Sequence, residues 1–187
     1  MKILLLTINL ILFSFLQLYA QNIARAGEIF ARYCSDLSNE ELLTGSYIEN
    51  AIDLYGEFLE NGIDTSKARI VIILKNNYKK NSLNPDQDYL KFKLDEKWPY
   101  HSFVVYRNKA LDPSCNLSFH QASIKNYFAT LWNKESQKGE LRVFAFQLMH
   151  IPEFMGITSN KKPKLTRFES VSLNYYLKNP MHISQKK

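Results

Sequence analysis

The chain predicts an α+β fold, and three observations carry that prediction. From Gly45 to about residue 60 the apolar residues Ile48, Ala51, Ile52, Tyr55, Phe58 and Leu59 recur every three or four positions, as one buried helix face requires. ARIVIIL at 68–74 is β-branched over residues 70–73 and continuously apolar from Ile70 to Leu74, the pattern of a strand covered on both faces. Several short strand-like segments then follow with turn residues between them, and one further helical pattern is inserted. A long helix ahead of a mostly antiparallel sheet is the arrangement this order gives.

The elements follow in order. NIARAGEIFARY, residues 22–33, reads as a short helix, and the polar SDLSNEE leads from it to the helix that starts near Gly45. Asn61-Gly62 supplies the left-handed stop of that helix. Residues 76–88 are a polar connection, and YLKFKL (89–94) alternates as a strand with one wet face. WPYHSFVVYRNKALDPSCN (98–116) reads as two strands broken at Arg107-Asn108. Ile124, Tyr127, Phe128, Leu131 and Trp132 predict a helix over 121–133, and LRVFAFQLM (141–149) predicts a strand. ITSNKKPK reads as loop, SVSLNYYLK (170–178) as a last strand, and the residues from Pro180 as a frayed tail.

Composition bounds the function classes. MKILLLTINLILFSFLQLYA has one early positive charge, then an apolar run ending at Ala20 before Gln21, the layout of a secretory signal peptide over 1–20. A retained N-terminal anchor is the competing reading, since the run is long enough for one. The expectation is therefore a secreted or periplasmic protein whose residues 21–187 form a single domain, monomeric and away from the membrane after cleavage. Cleavage removes one lysine and no acid, so the net charge falls from +6 to +5. That charge is spread along the chain, with KKPK (161–164) its densest cluster, and no nucleic-acid module is recognisable. Cys34 and Cys115 are the two cysteines; in an oxidising compartment they could form a disulfide, and separate thiols are the alternative. The four histidines lack metal-ligand spacing, so neither metal nor cofactor is expected.

The chemistry concentrates in the hairpin. With a two-residue turn at Arg107-Asn108, Tyr106 pairs with Lys109, Val104 with Leu111 and Phe103 with Asp112. His101 then lies on the same face as Phe103, a diagonal neighbour of Asp112. An aspartate there can fix the imidazole tautomer and stabilise the imidazolium when the other nitrogen takes a proton. The ordinary alternative is that Asp112-Pro113 merely starts a turn. A three-residue turn would reverse the parity and separate the two side chains.

The stretch resembles the second half of the bacterial protein-glutaminase domain, a secreted protein-glutamine deamidase with a transglutaminase-like or papain-like core. Trp98, Tyr100, His101, Asp112, Pro113 and Ser114 match its aromatic-Tyr-His and Asp-Pro-Ser pattern, while Ser102 replaces a small apolar residue. GSYIENAIDLYGEFLENGID followed by ARIVIIL is similar to its long helix and buried strand, so the resemblance covers about residues 44–116. It implies a Cys-His-Asp triad acting on glutamine side chains of a protein substrate. The departure is at the nucleophile. Alignment on the Gly-aromatic flanks puts Ser46 there, and counting back from Asn61-Gly62 puts Tyr47 there.

A helix N-terminus beside histidine is suited to a thiolate, although a serine can be activated by the same His–Asp pair. Ser46-x-x-Glu49 is also a capping box, so Ser46 has a structural role available to it. Three expectations remain open: a deamidase-like hydrolase working through Ser46, His101 and Asp112; a scaffold without catalysis that binds a protein partner; and a cysteine hydrolase or acyltransferase using Cys34.

Overall fold

The computed structural model describes residues 2–38, 47–77, 82–91, 98–117, 122–147, 165 and 168–187. They form five helices and a five-stranded antiparallel sheet, an α+β architecture. The helices are α1 (Lys2–Asp36), α2 (Tyr47–Glu60), α3 (Ile124–Leu131), α4 (Asn133–Gln137) and α5 (Leu173–Lys178). The strands are β1 (Ala68–Lys75), β2 (His101–Tyr106), β3 (Lys109–Leu111), β4 (Leu141–Phe146) and β5 (Val171–Ser172), in the order β3-β2-β1-β4-β5.

β1 lies at the centre because both of its faces are apolar. Ile70 packs with Ala26, Ile29, Phe30, Leu54 and Phe58 of α1 and α2, whereas Val71 and Ile73 pack with the helices on the opposite face. Helices therefore cover this antiparallel sheet on both sides, which accounts for the unbroken apolar run. α2 ends as its sequence requires. Gly62 takes φ +69°, its N–H donates to the Leu59 carbonyl, and the Ile63 N–H donates to that of Phe58, the paired bonds of a Schellman motif.

The register of the hairpin agrees with the sequence reading. Tyr106 pairs with Lys109, Val105 with Ala110 and Val104 with Leu111 across a two-residue turn. Arg107 takes φ +57° in that turn, the left-handed conformation that tight hairpins demand and that glycine fills at lower cost. The Arg107 guanidinium lies 4.0 Å from the centroid of the Tyr19 ring.

Elsewhere the structure corrects the sequence reading. The short helix over 22–33 is part of one continuous α1, which buries Ala26, Ile29 and Phe30 while Ile8, Leu10, Ile11, Leu12, Phe13, Leu16 and Tyr19 stay exposed. Among the described residues no helix is long and apolar enough to cross a membrane. The expected strand at 89–94 begins instead with a 3-10 turn at Gln87–Tyr89, and Leu90 makes a single bridge to Cys115. Residues 92–94, the loop 157–164 and KKPK lie outside the described residues. The helix expected over 121–133 spans only Ile124–Leu131 and is followed by α4. β4 is shorter than expected and ends at Phe146.

SVSLNYYLK is a two-residue strand and then a helix. The Ser172 hydroxyl accepts from the Tyr175 N–H and caps α5, burying Leu173 and Tyr176 three residues apart. The tail from Pro180 is not frayed. The Ser184 N–H donates to the Ala145 carbonyl and its hydroxyl accepts from the Ala145 N–H, so the tail continues the sheet edge beyond β5. Arg69 fixes it further, donating to the carbonyls of Met181, Ser66 and Ala68.

The disulfide does not form. Cys34 and Cys115 are free thiols, Cys115 being buried with its sulfur donating to the Tyr89 carbonyl at 3.2 Å. Cys115 is thus tied to the last residue of the 3-10 turn.

Candidate active site

Two of the three residues singled out in the sequence meet. His101 opens β2 and Asp112 follows β3, and the imidazole Nε2 lies 2.8 Å from Asp112 Oδ2. The diagonal pairing follows from the hairpin parity, since His101 and Phe103 share a face with rings 6.0 Å apart. Asp112 makes the turn and the histidine contact together. Oδ1 accepts from the Ser114 N–H at 3.0 Å and the Asp112 carbonyl accepts from the Cys115 N–H, which makes the Asp-Pro turn; Oδ2 is left for the histidine.

A third group completes the carboxylate. The Tyr127 hydroxyl, from α3, donates to Asp112 Oδ2 at 2.8 Å. The chain brings it there by running residues 122–124 along the hairpin edge, where the Ala110 N–H donates to the Ala122 carbonyl and the Ile124 N–H to that of Asn108. Ser123 then caps α3 through the Asn126 N–H, and Tyr127 follows one turn into the helix.

Burial alone would raise the Asp112 carboxyl. The His101 charge and hydrogen bond, the Tyr127 hydroxyl and the Ser114 N–H outweigh it and hold the group below the usual carboxylate range. Tyr127 is pushed the other way: burial, and then the Asp112 charge, raise its hydroxyl well above the usual value, so it remains a donor. An ionised Asp112 can only accept, so Nε2 carries a proton and donates it to Oδ2. Nδ1 is buried and has no hydrogen-bond partner among the described residues.

Aromatic rings enclose the imidazole. Trp98 stacks on it at 4.5 Å with 17° between the planes, Tyr47 meets it edge-on at 4.8 Å, and Trp132 lies at 5.8 Å. His101 itself is 0 % exposed. Trp98 is held by a bridge to Leu83, and Tyr47 is the first residue of α2. The first residue of α2 therefore lies at the histidine end of the sheet. Ser46, the residue before Tyr47, lies outside the described residues.

No protein-family model matches the chain, and no curated protein matches it.

Cys34 sits at the end of α1 in a setting unlike that of a nucleophile. Burial, followed by a counteracting Lys91 and a reinforcing Asp112, pushes its thiol up to about 11. At neutral pH such a thiol is ionised in about one molecule in ten thousand, whereas an attacking cysteine needs a lowered value. Cys115 is raised to about 12, again chiefly by burial, with the Asp112 charge adding to it. Among the described residues no group of three or more His, Cys, Asp or Glu side chains is arranged to hold a metal ion.

Sequence reasoning missed Tyr127, which its spacing marks only as a core position. The available signal is chemical: a tyrosine on a buried helix face needs a partner for its hydroxyl, where phenylalanine would not. Trp98 entered through the resemblance alone, and Trp132 through helical spacing alone.

Proposed function

We propose that this is an exported protein-glutaminase-like protein with a transglutaminase-like core, hydrolysing the side-chain amide of glutamine in a protein substrate. The observation that carries the reading is the His101–Asp112 pair: Nε2 is fixed on Oδ2, Nδ1 has no hydrogen-bond partner among the described residues, and the ring is met edge-on by Tyr47, the first residue of α2. A nucleophile at Ser46 would be adjacent in sequence to the ring that touches His101. In this scheme Ser46 Oγ attacks the carboxamide carbon while its proton passes to His101 Nδ1. The imidazolium, stabilised by Asp112, then protonates the departing nitrogen, which leaves as ammonia. Water, activated by the same Nδ1, hydrolyses the ester, releasing glutamate and restoring the serine. The exposed apolar side chains between Ile8 and Tyr19 support the export reading, since a cleavable leader contributes nothing to the core.

The decisive experiment is ammonia release from a casein-like protein by wild type, His101→Ala and Ser46→Ala. The reading expects release from wild type and loss of it in both variants; equal background from all three would reject it.

One observation favours a second reading, a scaffold that binds a protein partner without catalysis. His101 has no exposed surface and Trp98 lies flat on its ring, so the base is closed to a substrate side chain. Ser46→Cys separates the two cases. Ammonia released only by that variant would mark an intact site lacking its thiol, and release by neither protein would favour the scaffold.

A further inference from the structure

We propose that Tyr127 is a positioning residue that sets the basicity of His101 by competing with it for one oxygen of Asp112. This rests on the reading of His101 as a base. Asp112 Oδ2 receives two donors at the same distance, His101 Nε2 at 2.8 Å and the Tyr127 hydroxyl at 2.8 Å, while Oδ1 is occupied by the Ser114 N–H at 3.0 Å. All three side chains are buried, so no solvent compensates when one donor changes. Two donors on one oxygen share its charge. The stronger the Tyr127 bond, the less of the carboxylate charge stabilises the imidazolium, and the weaker a base Nδ1 becomes.

The hydroxyl also helps to hold the carboxylate in place. With Oδ1 committed to the Asp-Pro turn, Tyr127 and His101 together leave Oδ2 no freedom to rotate away from the ring. Among the described residues, other titratable groups near the pair include Tyr47 from α2, whose ring meets the imidazole, Cys115 after β3 and Cys34 at the end of α1, with Lys91 acting on the two thiols. Burial keeps both thiols protonated at neutral pH. Tyr127 is therefore the group on the carboxylate that can be changed without adding or removing a charge.

The test needs no substrate. The His101 imidazole is followed by NMR in full-length protein carrying labelled histidine, with its signals assigned by comparison with His101→Gln. In Tyr127→Phe the Nε2–H proton should move downfield, and the midpoint of the ring's titration should rise by about 0.5–1 pH unit, a threefold to tenfold gain in proton affinity. Site-specific 3-fluorotyrosine at 127, a stronger donor of nearly the same size, should move both signals the opposite way. That arm decides the matter if Tyr127→Phe does not fold. A merely structural tyrosine would leave the ring's titration unmoved, and an unchanged or same-signed response to the two substitutions overturns the proposal. Because neither signal depends on turnover, a protein that releases no ammonia but shows the opposed shifts retains the positioning role and loses only the catalytic one.

Discussion

Removing the Asp112 carboxylate should destabilise the protein more than an ordinary buried substitution. In Asp112→Ala three donors lose their acceptor at once: His101 Nε2, the Tyr127 hydroxyl and the Ser114 N–H. A buried donor left unpaired costs about 1–3 kcal/mol, so the gross penalty reaches roughly 9 kcal/mol. Against it stands the relief of no longer holding a carboxylate away from water, and breaking one side of a buried pair usually nets about 3–5 kcal/mol. For a chain of this size that corresponds to a fall in Tm of roughly 6–20 °C. Urea unfolding followed by tryptophan fluorescence suits the measurement, because Trp98 stacks on His101 and reports directly on the site. Asp112→Asn, which keeps one oxygen for Tyr127, should lose less, about 1–3 kcal/mol. A loss below ~1 kcal/mol in Asp112→Ala would refute the reasoning, since it would mean that the three bonds are not made in solution.

Three further outcomes follow from the same structure. The Asp112 carboxyl is held below its usual range, so its contribution is present above the unfolded value near pH ~4 and fades as pH falls through the folded value; the stability gap between wild type and Asp112→Asn should narrow on acidification below about pH 4, and a gap that widens there would contradict the assignment. Thiol titration of native protein at pH 8 should be slow at both cysteines, whose thiols lie near 11 and 12, and should count two free thiols once urea is added; none in urea would mean a disulfide. Gly62→Ala should cost about 1 kcal/mol, purely through the left-handed φ of +69°, because no atom lies within 4 Å of the position a Cβ would take; an unchanged stability would argue against the Schellman stop.

The legible parts of this molecule are those fixed by local pattern. β1 announces itself because a strand covered on both faces favours apolar residues in succession, here Ile70 to Leu74. The hairpin register was legible once the turn at Arg107-Asn108 was taken as two residues, which the structure bears out, and parity then carried His101 to Asp112. Other parts depend on distant partners. SVSLNYYLK satisfies an alternating pattern and an i, i+3 pattern equally, and the choice falls to the Ser172 cap, with only two residues left to pair with β4. The tail looks polar and structureless, yet Ala145 and Arg69, 39 and 112 residues away in sequence, hold it. Tyr127 reaches Asp112 only because the segment before α3 runs along β3, a path that no spacing rule encodes. The two thiols were undecidable from an even count, because pairing depends on which elements bring them together.

The most direct test of the central claim is to incubate a glutamine-rich protein with wild type and with His101→Ala, and to read glutamine-to-glutamate conversion residue by residue in a mass spectrometer. The account predicts conversion at defined glutamines with wild type and none above background with His101→Ala. Identical spectra from the two proteins would contradict it, leaving the His101–Asp112–Tyr127 cluster as a buried structural network.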